Sequence, residues 1–256
     1  MKPSVRSIVF SRIIRAGWPV ALLLLTCSRL AAQTADFGVW CLRGIEPTQR
    51  ELLTSNLRRI TGLTDLSFDQ QGRLHAGKGF VNGSARARRL IEQAATGAQA
   101  IMLQDVSRDP DVVFSRVLSA QWRSTALSGP PVFVIQIDFS DFDHVMGDRM
   151  ALQAFDVGWV VLHEIDHIVN DSMDTGYTQE PGECEDHINL MRRECDLPQR
   201  ASYFFTLLPS VQDGHLTRFV RLAFEKDSGG GRKKYWLVWD ANLVGGLKQE
   251  EIASFR

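Results

Sequence analysis

The sequence predicts an α+β fold, with strands and helices segregated along the chain rather than alternating in a regular βαβ array. Three observations carry this. Residues 131–139 alternate Val132, Val134 and Gln136 against Phe133, Ile135 and Ile137, the period of a strand. Residues 160–169, VVLHEIDHIV, and 183–195 repeat their apolar residues with helical spacing. Residues 216–240 read as two strands joined by Gly229, Gly230 and Gly231, a C-terminal hairpin.

The first 32 residues stand apart. Lys2, Arg6, Arg12 and Arg15 precede the apolar run WPVALLLLT, and small residues follow up to Ala32, the order of a secretory signal peptide. Its apolar core is about half the roughly 20 residues that a spanning helix requires, so no stable membrane span is expected after cleavage. Cys27 offers a lipoprotein reading, which Thr26 before it and Arg29 after it disfavour. Residues 33–256 are then expected as one exported domain, periplasmic or secreted, with its core at about 131–208.

Within that domain, residues 46–62 form a helix, with Thr48 and Glu51 at capping-box spacing and Gly62 at its end. Residues 63–77 suggest a short hairpin around Gln71 and Gly72, and Ser84 caps a helix running to about Thr96. A strand follows over 100–106, then an expected helical stretch over 109–122. After the strand at 131–139, residues 149–174 make one or two helices with Gly158 as a candidate break. Pro181 and Pro198 bracket the next helix.

Loss of the leader removes five basic residues and no acidic ones, taking the formal net charge from −1 to −6. This excludes the basic footprint of a nucleic-acid binder. Cys41, Cys184 and Cys195 remain, an odd number for an oxidising compartment. On one helix Cys184 and Cys195 lie about 16 Å apart along the axis, too far to bridge. The alternatives are a disulfide from Cys41 to one of them, or buried free thiols.

The chemistry concentrates at 163–167. On a helix His163 and His167 lie about 40° apart and Glu164 about 100° from His163, while Val161, Leu162, Ile165, Ile168 and Val169 occupy the opposite side. Two imidazoles one turn apart can share one Zn²⁺, and the adjoining glutamate is set to take a proton from the metal-bound water. The competing reading is a solvated polar face, to which Asp166, Asn170, Asp171 and Asp174 also contribute.

These residues resemble the His-Glu-any-any-His helix of the zincin metallopeptidases. The resemblance implies a zincin-like mixed sheet, an active-site helix and a second ligand-bearing helix. It also implies zinc on His163 and His167, Glu164 as general base, and 131–139 as the edge strand that pairs with a peptide or protein substrate. Between those histidines this chain carries the charged Asp166, where the family usually has uncharged residues. Asn170 and Met173 stand where the metzincin subclass has Gly and His.

A third ligand is required beside one open position. Asp171 extends the histidine row but lies about 12 Å along the axis from His163. Asp174 qualifies if the chain turns at Asn170. The gluzincin arrangement takes a glutamate from the next helix, and Glu185 is preferred there over Glu183 and His187. A second, weaker resemblance covers Asn189, Arg192, Arg193, Glu194, Leu197, Pro198, Arg200 and Tyr203, which are similar to a string in bacterial effector and Rhs-associated metalloproteases. A solvated charge cluster is the alternative for Arg192, Arg193 and Glu194.

The function expected is an exported zinc-dependent metallopeptidase-like hydrolase, with Tyr177, Tyr203, His215 and Arg200 as candidate oxyanion donors. The alternative is a non-catalytic exported protein whose metal holds two helices together.

Overall fold

Apolar runs in the N-terminal half assemble a four-stranded sheet. In the computed structural model, residues 37–119, 131–175, 181–210 and 216–245 are described, within a unit spanning Ala35–Arg256. Residues 1–32, the expected leader, lie outside the described residues. Strand β1 (Gly38–Cys41) leads to helix α1 (Pro47–Thr61), the short hairpin β2 (Ser67–Phe68) and β3 (Leu74–His75), and helix α2 (Ala85–Thr96). Next come β4 (Ala100–Asp105), β5 (Ser115–Ser119) and β6 (Val132–Ile137). The sheet order is β1-β4-β6-β5. The first three run parallel, with Gly38 opposite Ala100 and Ala100 opposite Val132, while β5 runs antiparallel to β6 with Val117 opposite Ile135.

A 3-10 helix at Phe139–His144 and strand β7 (Met146–Gly147) precede α3 (Arg149–Ala154) and α4 (Val157–Asn170). Helix α5 (Glu183–Glu194), β8 (Gln199–Arg200), β9 (Thr206–Pro209), the long hairpin β10 (Leu216–Ser228) and β11 (Gly231–Asp240), and α6 (Ala241–Val244) follow. The second sheet has the order β7-β11-β10-β8, with β9 also on β10. The result is a mixed α+β architecture. No helix among the described residues is long and apolar enough to cross a membrane.

Helix α4 lies at the centre, packed against α1, α2, α5 and the β5–β6 side of the first sheet. Trp159, Val161, Leu162 and Ile165 on it are essentially inaccessible, as the apolar stripe requires. Its start is fixed by Asp156, whose carboxylate accepts from the backbone N–H groups of Gly158 and Trp159 at 2.9 and 3.3 Å. The break between α3 and α4 therefore falls at Phe155 and Asp156, and Gly158 belongs to the first turn of α4. Glycine is needed there for close packing, since a Cβ would meet Cβ of Asn56 at 2.8 Å and Cδ1 of Ile60 at 2.9 Å, both on α1.

Three expectations need correction. Residues 115–119 form an edge strand, not a helix. Phe114 is held at φ 62° while its N–H donates to Asp141 at 2.8 Å, and the free side of β6 supplies a ladder of partners that local helical propensity cannot match. The strand within 131–139 is thus flanked on both sides, and β5 is the edge. Helix α1 begins at Pro47, with the Gln49 side chain accepting from the Glu46 N–H at 2.8 Å, earlier than Thr48 and Glu51 suggest. Of the two alternatives for the cysteines, the structure has free thiols at Cys41, Cys184 and Cys195, the last only partly buried. Cys41 sits in β1, where burial pushes its thiol up to about 12, whereas Cys195 donates to the carbonyl of Ile60 and Cys184 to that of His163.

Candidate metal centre

His163 and His167 project from α4 into a cleft of about 590 Å³ bordered by β5, Phe155, Trp159, Tyr203, Phe205 and Trp239. Their Nε2 atoms face one another at 3.1 Å. The helix ends at Asn170, and Asp171 turns the chain with left-handed backbone angles. That turn returns Asp174 to the two histidines, its Oδ1 lying 3.3 Å from Nε2 of His163 and its Oδ2 3.3 Å from Nε2 of His167. Ligands held tetrahedrally about 2.0–2.1 Å from a zinc ion stand about 3.3 Å apart. The three observed separations are of that size, the triangle closing on the Asp174 carboxylate, with Oδ1 toward His163 and Oδ2 toward His167.

Oδ1 of Asp174 is buried without a hydrogen-bond partner, although it lies 3.3 Å from Nε2 of His163. An ionised oxygen in that state is costly unless a cation completes it. Cys184, at the start of α5, completes a set in which the ligand atoms of His163, His167, Asp174 and Cys184 all lie within 4.8 Å of one another. This cluster could hold a metal ion.

The surrounding groups fix which ring nitrogens face inward. Nδ1 of His167 donates to the carbonyl of Ser172 at 2.8 Å, leaving Nε2 as the nitrogen that faces inward. Nδ1 of His163 lies 3.4 Å from Oε2 of Glu185. Burial disfavours charge on His163, but the contacts with Asp174, Cys184 and Glu185 outweigh it and place its pKa well above the usual imidazole value. His167 behaves alike, its pKa rising to about 11 as the contact with Asp174 overcomes burial. Asp174 is held well below the carboxylate range by the same pair, against the effect of burial. Two imidazolium rings cannot face each other through Nε2 at 3.1 Å, so the pair shares a proton or gives both lone pairs to a cation. A metal ion held here would compete with those protons.

Glu185, preferred from the sequence as the third ligand, faces the outer nitrogen of His163 rather than the Nε2 triangle. It is buried between Arg192, which donates to Oε1, and Arg200, which donates to Oε2 at 3.0 Å. Burial raises its pKa, but the two guanidinium groups win and hold it below the carboxylate range. Arg192 and Asn189 are themselves buried, so this part of the Asn-Arg-Arg-Glu string is an interior network and not a solvated cluster. Glu183 is exposed on the first turn of α5.

Asp166 is also buried, contrary to a solvated polar face. It accepts from Asn170 at 2.6 Å, Ser172 at 2.7 Å and Nδ1 of His187 at 2.9 Å. These bonds tie the end of α4 and the turn toward Asp174 to α5, and they account for His187. A charge between the two histidines therefore serves the turn that delivers the acid.

Glu164, buried at the edge of the cleft, accepts from the hydroxyl of Ser115 on β5 at 2.6 Å. Tyr203 donates to Oδ2 of Asp174 at 2.6 Å, and burial together with that carboxylate raises its phenol pKa. Tyr177 and His215 lie outside the described residues. Sequence reasoning missed Ser115, Ser172 and Cys184. The last left a trace in the odd cysteine count, while the first two are ordinary serines with no distinguishing pattern. Comparison with family models, curated proteins and solved structures gave no match for this chain.

Proposed function

We propose that this chain is a zinc-dependent hydrolase of peptide bonds with a zincin-like site, exported under the direction of residues 1–32. The observation that carries the reading is the triangle of His163 Nε2, His167 Nε2 and an Asp174 carboxylate, with 3.1–3.3 Å edges and Glu164 one residue after the first histidine. His163, His167 and Asp174 would hold the ion. A zinc ion there supplies a Lewis acid and brings the ionisation of a water molecule toward neutral pH. Glu164, held by the Ser115 hydroxyl, would take a proton from the attacking water and pass it to the departing amine.

Glu185 orients the ring of His163 and sustains its basicity from outside the triangle. Among the described oxyanion candidates Tyr203 is preferred. Tyr203 and Arg200 both border the cleft, but Arg200 donates to Glu185 and to the carbonyls of Ser202 and Tyr203, whereas Tyr203 has a single bond to release, the one to Asp174. Residues 113–117, including the start of β5, line the same cleft. The outer side of β5 offers main-chain groups to an extended peptide.

The test measures metal content and peptide hydrolysis in purified mature protein. His163→Ala is expected to lose zinc, and Glu164→Gln to retain zinc while losing at least about 100-fold in rate, the usual scale of general-base removal. A wild-type protein that takes up no stoichiometric zinc after reconstitution ends the proposal.

A further inference from the structure

Cys184 is the fourth potential ligand of the cluster, and the mechanism above does not use it. It opens α5 one residue before Glu185, fully buried, and its Sγ donates to the backbone carbonyl of His163 at 3.3 Å. A fully buried sulfur is inaccessible to solvent oxidants and bulk thiols, yet it stands within 4.8 Å of ligand atoms of His163, His167 and Asp174, and Oδ1 of that aspartate is buried without a hydrogen-bond partner. A zinc–thiolate bond of about 2.3 Å places sulfur about 3.6 Å from the other ligand atoms of a tetrahedral site. The observed separations of up to 4.8 Å leave a short movement of one side chain to reach that distance.

We propose that Cys184 is the fourth protein ligand of the resting centre, so that the metal is held closed and hydrolysis requires displacement of the sulfur. The inference rests on the metal reading of the site and adds regulation to it. On metal binding the thiol gives its proton to solvent and a metal–sulfur bond forms. When water takes the position that bond breaks, the sulfur recovers one proton from solvent, and the thiol returns to the His163 carbonyl. No oxidant or reductant is involved. Sulfur in the set also favours zinc over magnesium or calcium, which prefer oxygen ligands.

The test loads metal-free mature protein with Co²⁺, which reports thiolate ligation as a sulfur-to-cobalt charge-transfer absorption in the near ultraviolet. Wild type is expected to show that band at one equivalent, and Cys184→Ala and Cys184→Ser to lack it. Both variants are expected to bind Co²⁺ about tenfold more weakly, a loss of about 1.4 kcal/mol. Both are also expected to hydrolyse peptide several-fold faster than wild type at saturating zinc. Stoichiometric cobalt in wild type without the band overturns the ligand assignment and leaves the metal centre standing. The band with no gain of rate in either folded variant, checked by circular dichroism, overturns the closed resting state. Failure of wild type to bind any stoichiometric metal overturns the underlying reading instead.

Discussion

Glu185 faces the outer ring nitrogen of His163 and not the Nε2 side where the sequence places it. Its carboxylate compensates Arg192 and Arg200 and aligns His163, so its removal acts on both stability and metal affinity. Glu185→Gln is expected to cost about 3–5 kcal/mol, because it leaves a buried guanidinium uncompensated. It is also expected to weaken zinc binding about 10- to 100-fold, as loss of an orienting partner does. Denaturant unfolding and metal titration of the same variant measure the two. Complete loss of zinc from a stably folded variant would instead make Glu185 a ligand. The histidine pair and Glu164 were legible because a spacing of four converts directly into proximity on a helix. Asp174 was legible only as one candidate, since a turn had to bring it back.

Helix α4 carries the site, and its position depends on its contact with α1. Gly158→Ala places a methyl group against Asn56 and Ile60, and overpacking of this kind costs about 1–3 kcal/mol. A thermal midpoint unchanged by that substitution would show that the two helices can separate without loss. The helices were readable from apolar period and flanking Pro and Gly residues, and the β10–β11 hairpin from its two strands around three glycines. Strand β5 was not readable. Val112, Val113, Phe114, Val117 and Leu118 lack a clean alternation, and the residues that stabilise the strand are those of β6, some twenty positions on.

At the scale of the whole fold a response to pH is expected and, on the proposed zinc reading, a response to metal. Asp141, buried under Phe114, has its carboxyl pKa raised to about 7, first by burial and then by the neighbouring Asp138, against its bond from Phe114 N–H. A carboxyl with a raised folded value stabilises the protein fully below its unfolded value near 3.8. That contribution is lost as pH rises through about 7. Asp141→Asn is therefore expected to remove a decline in stability between about pH 4 and 7, worth a few kcal/mol at most. Parallel unfolding curves for wild type and variant across that window would refute it. Zinc at about 1,000 times its dissociation constant adds about 4 kcal/mol to the folded state. Chelation is thus expected to lower the thermal midpoint by roughly 8–16 °C for a domain of this size, as read by calorimetry with and without a chelator.

The sequence by itself determined the α+β class, the principal helices, the hairpin, and the pairing of two imidazoles with one carboxylate on a single helical face. Each of these follows from interactions within one turn or between neighbouring strands, where residue spacing is geometry. Only the tertiary structure decided that Asp174 meets the imidazoles, that Glu185 stands behind them between two arginines, that Asp166 fastens the intervening turn, and that Cys184 and Ser115 reach the site. Those contacts join α4 to β5 and to α5, and the interior chooses among candidate carboxylates by which of them can be compensated. Buried charge must find a partner, and the partners are set by the packing of whole elements.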